Sequence, residues 1–226
     1  MSKKTSIEVK NDIPIPCKII LVGESGVGKT SIISRYLEQY QEKTESTLGA
    51  YFSNKIVNID GYQINFEIWD TAGQEQYRSI TSLFYKDAYI CLLVYDITHI
   101  STFNSIKEYW HKAIVDNGLQ GVILGVVGNK NDLYENEEVS EKEGEDFSKS
   151  INACFKLTSA KVNTSIDDIF KMVGKKFIES DFLKKLLPKY INNYNTASKN
   201  EAIKISQEEL KEGNNKNEQK KKNKWC

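Results

Sequence analysis

Three short stretches of this sequence are hydrophobic almost without interruption: CKIILVG at 17–23, YICLLVYDI at 89–97 and GVILGVVGN at 121–129. Between them lie amphipathic stretches whose apolar residues have helical spacing, such as TSIISRYLEQY and FNSIKEYWHKAIVD. Strands that read as continuous apolar runs are buried on both faces, as in parallel sheets covered by helices. The alternation therefore predicts an α/β fold.

One further pair of runs has a different pattern. YFSNKIVNI at 51–59 and YQINFEIW at 62–69 are joined by Asp60-Gly61, and Asp-Gly favours the tight hairpin turn that needs positive φ. CFKLTSA, at 154–160, predicts one more strand. We therefore expect a six-stranded, mostly parallel sheet with helices on both faces. Ligands bind such sheets beyond the carboxyl ends of the strands.

The composition argues against several function classes. Lysine and arginine balance aspartate and glutamate, 31 against 31, which does not suit an electrostatic nucleic-acid binder. No apolar run reaches the roughly 20 residues of a membrane span, and the N-terminal segment lacks the apolar core of a secretory signal. Cys17, Cys91 and Cys154 lie in or beside apolar runs and are expected to be buried free thiols of a cytosolic chain.

We predict three segments: a flexible N-terminal extension at 1–14, a single domain at 15–183, and a tail at 184–226. The tail has 11 lysines, 5 glutamates and few hydrophobic residues, which gives it a net charge of +6. Such a segment cannot bury enough apolar surface to offset its ordering entropy, so we expect it to be disordered.

The segment GESGVGKT at 23–30 lies between the first strand and the first helix and fits G-x-x-x-x-G-K-[ST]. Its glycines let backbone N–H groups turn around phosphate oxygens, and the following helix N-terminus adds partial positive charge. Lys29 is expected to reach the β- and γ-phosphates, and Thr30 to place its hydroxyl on Mg²⁺. The predicted phosphate-binding residues are Ser25, Gly26, Val27, Gly28, Lys29, Thr30 and Ser31.

The segment WDTAGQE at 69–75 follows the hairpin. Asp70 ends a strand, where a carboxylate can hold Mg²⁺ through water. Gly73 offers an N–H to a γ-phosphate. Gln74 is placed to orient an attacking water, so it is the predicted catalytic residue.

Two further motifs, GNKND at 128–132 and TSAK at 158–161, each follow a strand. Asp132 can accept hydrogen bonds from N1–H and the exocyclic amino group of guanine, whereas adenine has neither donor in that geometry. The Lys130 stem can lie over the base, and the Ala160 N–H can donate to guanine O6. The predicted base-binding residues are Asn129, Lys130, Asp132, Leu133, Ser159, Ala160 and Lys161.

The order GESGVGKT, STLGAYF, WDTAGQE, GNKND, TSAK resembles the Ras superfamily of small GTPases over residues 15–180, with its P-loop G-domain fold. ESTLGAYF, WDTAGQEQYRS and the lysine-rich tail resemble the Rab family, closest to its endosomal branch. The resemblance implies that Thr47 bonds Mg²⁺ and the γ-phosphate and that Tyr40 stacks on guanine. It also implies that effectors contact Phe52, Trp69 and Phe84.

The same resemblance implies a GTP/GDP switch with Mg²⁺ that regulates vesicle trafficking on the cytoplasmic face of endosomal membranes. Its implied partners are an exchange factor, a GTPase-activating protein, a GDP-dissociation inhibitor or escort protein, and effectors, around a monomeric G domain. Rab-like tails are normally geranylgeranylated, so Cys226 is a predicted lipidation site. One lipid chain anchors weakly, and nearby lysines can supply the second signal. Gln76 stands where arginine is usual, and FYKDA replaces YYRGA, which leaves effector identity open.

The chain has only two arginines, Arg35 and Arg78, and neither has an obvious route to a transferring phosphate. We therefore expect no arginine finger in cis and slow intrinsic hydrolysis, on the order of 10⁻⁴–10⁻² s⁻¹. Two alternatives remain open. The chain could be a GTP-binding scaffold that does not cycle, or another P-loop kinase or ATPase, which usually needs a substrate lid and several arginines.

Overall fold

The computed structural model describes residues 14–41, 47, 50–71, 85–117 and 121–188, and these contain a six-stranded sheet in the order β2-β3-β1-β4-β5-β6. The strands are β1 (Ile15–Val22), β2 (Ala50–Ile59), β3 (Tyr62–Thr71), β4 (Ile90–Asp96), β5 (Ile123–Asn129) and β6 (Cys154–Leu157). Strand β2 pairs antiparallel with β3, and the other neighbouring pairs are parallel. The predicted α/β fold with a mostly parallel sheet is confirmed.

The hairpin between β2 and β3 turns at the predicted Asp60-Gly61 pair. Both residues have positive φ, 49° and 85°, as a primed two-residue turn requires. Ile59 faces Tyr62 across the turn, and Ala50 faces Thr71 at the far end. This register places the end of β3 beside the first residues of β2.

Among the described residues of 14–180, four helices cover the sheet: α1 (Lys29–Tyr36), α2 (residues 100–116), α3 (Glu141–Ser150) and α4 (Ile166–Glu179). Helix α2 is continuous but contains a π-helical turn, Ile106–Trp110, between Ile100–Ser105 and His111–Asp116. Helix α3 begins at a capping box, in which the Ser140 hydroxyl and the Glu143 carboxylate bond each other's backbone N–H groups. A 3₁₀ turn, Asn131–Asn136, follows β5.

The helices lie on both faces of the sheet, as predicted. On one face Tyr36 of α1 stacks on Phe170 of α4 at 3.8 Å between ring centroids, above Phe66 of β3. On the other face Phe103 and Trp110 of α2 pack with apolar residues of β1, β4 and β5. The buried thiols predicted at Cys17, Cys91 and Cys154 are confirmed, and burial raises the pKa of all three.

The chain divides into two compact units, residues 1–180 and 181–226. In the second unit residues 181–188 are helical, and the predicted tail boundary at 184 falls within that stretch. Among the described residues, none of the helices combines the length and hydrophobicity that a membrane crossing requires. Gly73, Gln74, Gln76, Arg78, Phe84 and Cys226 lie outside the described residues, as do 1–13 and 189–226.

Candidate functional site

The GESGVGKT loop leaves the carboxyl end of β1 and enters α1 at Lys29. Gly26 and Gly28 have φ values of 78° and 96°, in the left-handed region that favours glycine. A Cβ on Gly28 would overlap the side-chain amide of Asn129. The backbone therefore passes too close to Asn129 for any other residue at position 28.

Lys29 is a buried cation, with 5% of its surface exposed. Its Nζ donates hydrogen bonds to the carbonyl oxygens of Gly23 and Glu24, both at 2.8 Å. Burial lowers the pKa of Lys29 to about 8, and the charges of Asp70 and Glu24 only partly oppose this. The loop therefore holds a desolvated ammonium group that an anionic ligand would stabilise.

We expect nucleotide binding at alkaline pH to take up protons through Lys29. A bound phosphate favours the ammonium form, whereas ligand-free Lys29, with its pKa of about 8, is largely neutral at higher pH. Calorimetric titration with GDP in buffers of different ionisation enthalpy should give up to about 0.7 proton per site near pH 8.5 and close to zero near pH 7.

The matched control for that titration is Lys18→Arg. Burial also lowers the pKa of Lys18, but its Nζ bonds the Lys86 carbonyl rather than the loop. Unchanged uptake in this variant would locate the effect at Lys29, whereas absence of uptake in the unmodified protein near pH 8.5 would contradict the prediction.

Three side-chain oxygens meet beside the loop. Thr30 Oγ1 donates to Asp70 Oδ2 at 2.6 Å, and Thr47 Oγ1 lies 2.9 Å from Thr30 Oγ1 and 3.3 Å from Asp70 Oδ2. Asp70 is 4% exposed, and its Oδ1 finds no hydrogen-bond partner among the described residues. Burial raises the pKa of Asp70, and hydrogen bonds from Thr30 and Thr47 and the Lys29 charge offset this only in part.

This oxygen cluster fits a magnesium ion. Mg²⁺ prefers hard oxygen ligands, keeps several waters and takes one or two carboxylates together with substrate phosphates. The two hydroxyls and one under-bonded carboxylate match that preference. The structure thus brings together Thr30, Thr47 and Asp70, the three residues predicted to hold the metal.

Asn129, away from the oxygen cluster, forms hydrogen bonds that connect three segments of the chain. Its amide Nδ2 donates to the Val27 carbonyl at 2.8 Å. Its Oδ1 accepts from the Thr158 hydroxyl at 3.2 Å and from the Ala160 N–H at 3.3 Å. Asn129 is 2% exposed, so these contacts fix the phosphate loop, β5 and the TSAK loop relative to one another.

Asp132 and Lys130 are each oriented by a neighbour. The Ser159 hydroxyl donates to Asp132 Oδ1 at 2.5 Å. Lys130, in a left-handed conformation with φ 68°, places its Nζ 2.6 Å from Asp96 Oδ2. Burial raises the pKa of Asp96, but bonds from Lys130 and Thr98 outweigh it and lower the pKa overall. Asp96 therefore stays ionised and anchors Lys130.

The phosphate loop, the oxygen cluster and the base end open onto one cleft of about 330 Å³. Its lining contains nearly every described residue of the predicted nucleotide and metal set: Ser25, Gly26, Gly28, Lys29, Thr30, Ser31, Tyr40, Thr47, Asn129, Lys130, Asp132, Leu133, Ala160 and Lys161. Three predicted members stand outside the lining. Val27 and Ser159 are buried behind it and bond lining residues, and Asp70 lies behind Thr30.

Sequence reasoning missed some residues that support the cleft. Asp96 ends a buried strand, the same signal that identified Asp70, and could have been found. The Glu24 carboxylate accepts from the Ser105 hydroxyl and, at 3.1 Å, from the Trp110 indole N–H of the π-helical turn. Thr71 also lines the cleft. No pattern in the sequence predicts the Glu24 contact with α2, 86 residues away.

The two described members of the predicted effector group lie together. Phe52, 54% exposed, and Trp69 pack with 5.3 Å between ring centroids and 60° between planes. They are paired across β2 and β3. An exposed aromatic side chain on an outer strand suits a binding surface.

Comparison with known proteins agrees with this geometry. Residues 18–179 match the Ras family. The chain is 37% identical to Ras-related protein RabJ of Dictyostelium discoideum over 74% of its own length and 65% of that protein's. It is 34% identical to RABA1b of Arabidopsis thaliana, over 76% of the chain and 83% of that protein. It is 37% identical to Ras-related protein Rab-17 of Mus musculus, over 74% of the chain and 78% of that protein. The chain therefore belongs to the Rab family of small GTPases, within the Ras superfamily.

Proposed function

We propose that this chain binds GTP, hydrolyses it and acts as a GTP-dependent switch in membrane trafficking. One observation carries the proposal: two different groups of side chains lie at opposite ends of one cleft. At one end are the buried lysine and the oxygen cluster; at the other is the Asp132 carboxylate, which the Ser159 hydroxyl orients. The first end suits a magnesium polyphosphate, and the second suits the paired N–H donors of guanine.

Base selectivity follows from which hydrogen-bonding groups of the protein each base would leave without a partner. Guanine offers N1–H and an amino group to Asp132 and a carbonyl oxygen to the Ala160 N–H. Adenine would offer neither of these donors to the carboxylate, which costs about 1–3 kcal/mol or more. Ser159 already fixes Asp132 at 2.5 Å, so the carboxylate is positioned before the ligand arrives.

The proposed chemistry at the phosphate end is positioning and charge neutralisation. Lys29, Thr30, Thr47 and Asp70 hold the polyphosphate and its metal, and Mg²⁺ when bound supplies positive charge to the phosphate oxygens. Gln74 orients the attacking water in this proposal. Arg35 is engaged by the carbonyls of Ala160 and Lys161, at the base end of the cleft. An activating protein must then supply the missing positive charge.

Switching and partner binding extend the proposal. Thr47 and Gly73 bond the γ-phosphate, and their release after hydrolysis changes the surface that effectors read. We assign effector binding to Phe52, Trp69 and Phe84, with trafficking at endosomal membranes as the proposed setting. Exchange factor, activating protein and GDP-dissociation inhibitor or escort protein are the proposed regulators.

Membrane attachment is proposed to use Cys226 and the preceding lysines. A prenyl chain on Cys226 gives marginal affinity, and Lys220, Lys221, Lys222 and Lys224 each add about 1 kcal/mol near an anionic leaflet. Intact mass of the protein from its native cells checks this, because absence of the prenyl mass would exclude lipidation.

Competitive titration with fluorescent GTP and ATP tests nucleotide choice. GTP should bind about a thousandfold tighter or more, because the site is built around guanine donors. Equal affinities would remove the guanine assignment and favour a general P-loop ATPase or kinase.

Single-turnover hydrolysis by the purified chain, without partners, tests the catalytic part. We expect about 10⁻⁴–10⁻² s⁻¹. Turnover of several per second would show that the chain supplies its own arginine, and no turnover even with an activating protein would favour a non-cycling scaffold.

A further inference from the structure

Arg35, in the last turn of α1, makes three contacts at the base end of the cleft. Its Nε donates to the Ala160 carbonyl at 2.7 Å, and its Nη2 donates to the Lys161 carbonyl at 2.9 Å. Its Cζ lies 3.7 Å from the centroid of the Tyr40 ring. One guanidinium group therefore joins the TSAK loop and the segment after α1, which are more than a hundred residues apart in sequence.

Each residue that the Arg35 guanidinium is described as contacting also lines the cleft: Tyr40, Ala160 and Lys161. The Ala160 N–H, which faces the base in the proposed function, donates a long hydrogen bond of 3.3 Å to Asn129 Oδ1. Arg35 bonds the next two carbonyls and so limits rotation of the peptides that follow this N–H. The guanidinium also stacks on one face of the Tyr40 ring. This contact holds Tyr40 in place where it lines the cleft.

The contacts require a guanidinium. Two carbonyls are taken by two different nitrogens of one planar group while its face lies against an aromatic ring. A lysine ammonium has a single nitrogen and no planar face, so it could not bond the two carbonyls from separate nitrogens while stacking on the ring. Charge alone would therefore not reproduce the arrangement.

We propose that Arg35 is a positioning residue for nucleotide retention: it fixes the TSAK loop and Tyr40 together around the base and thereby slows nucleotide release. This inference rests on the proposed function. The described contacts of the Arg35 guanidinium are with Tyr40, Ala160 and Lys161, at the base end of the cleft, so its loss is expected to change the dissociation rate and to leave hydrolysis of bound GTP unchanged.

The test measures dissociation of fluorescent GDP, and single-turnover GTP hydrolysis, on the full chain and its Arg35→Gln and Arg35→Lys variants. Both variants should release GDP about 10–100 times faster, because two hydrogen bonds from a charged group are lost or reduced. Hydrolysis of bound GTP should change less than twofold. Lys171→Gln, which removes an exposed charge from α4, is the matched control and should leave release unchanged.

Tyr40→Leu provides a second route that leaves Arg35 in place. It should also speed GDP release, and the Arg35→Gln/Tyr40→Leu double variant should show less than the product of the single effects, since the two share one contact. Release within twofold of the unmodified protein in both Arg35 variants, or full rescue by Arg35→Lys, overturns the inference. If the unmodified chain fails to bind GDP, the proposed function itself is wrong.

Discussion

Replacement of Asp132 by Asn is expected to change the base preference of the cleft from guanine to xanthine. An amide offers one acceptor and one donor, which match the N1–H and C2 carbonyl of xanthine but not the two donors of guanine. Ser159, which donates to Oδ1 at 2.5 Å, can donate to an amide oxygen as well, so the side chain should keep its orientation. GDP affinity should fall about a hundredfold or more.

Competition of fluorescent GDP with unlabelled XDP measures this exchange of preference directly. Glu135→Gln is the matched control, since it makes the same chemical change at an exposed position in the same 3₁₀ turn. It should leave both affinities unchanged. An Asp132→Asn protein that still prefers GDP would show that Asp132 does not read the base.

The sheet was predictable because its signals are local. Continuous apolar runs marked the buried parallel strands, and Asp60-Gly61 marked the hairpin because two adjacent positive φ values suit few other pairs. The cleft was predictable for a related reason. Parallel strands direct their carboxyl ends to one edge, so motifs that follow β1, β3, β5 and β6 had to meet there.

The supporting contacts were not predictable, because they join residues distant in sequence through ordinary side chains. Arg35 bonds carbonyls 125 and 126 positions away, and nothing in SIISRY distinguishes it from a solvent-facing helical arginine. Base stacking by Tyr40 stays a prediction, and the contact of its ring with Arg35 is one that the sequence did not indicate. Asp96 could be found at the end of a buried strand, but only the fold shows that it pairs with Lys130.

The second large effect is expected for Asp70→Asn. The substitution should stabilise the ligand-free protein against unfolding, but it should weaken magnesium binding in the liganded protein. In the ligand-free protein Asp70 is a buried carboxylate with an unpartnered Oδ1 among the described residues. Asparagine removes the buried charge and can still accept from Thr30. The ligand-free variant should therefore unfold about 2–4 °C higher than the unmodified protein at neutral pH.

The pH dependence of that stability difference has a definite sign. Burial raises the pKa of Asp70, so the native state binds this proton more tightly than the unfolded chain does. Lowering the pH therefore stabilises the unmodified protein relative to Asp70→Asn. The advantage of the variant should be largest near pH 7 and should shrink as the pH falls through the raised pKa; constancy across that range would contradict the assignment.

In the liganded protein the same substitution should remove most of the effect of magnesium. An amide is a weaker partner than a carboxylate for a divalent cation, and loss of an outer partner of a metal costs about 10–100-fold in affinity. Chelation of Mg²⁺ should speed GDP release strongly in the unmodified protein and only slightly in Asp70→Asn. Asp60→Asn is the control, because Asp60 is exposed and its left-handed φ of 49° suits asparagine. A ligand-free protein destabilised by Asp70→Asn, with its magnesium response intact, would mean that the Thr30–Asp70 pair is structural and the metal lies elsewhere.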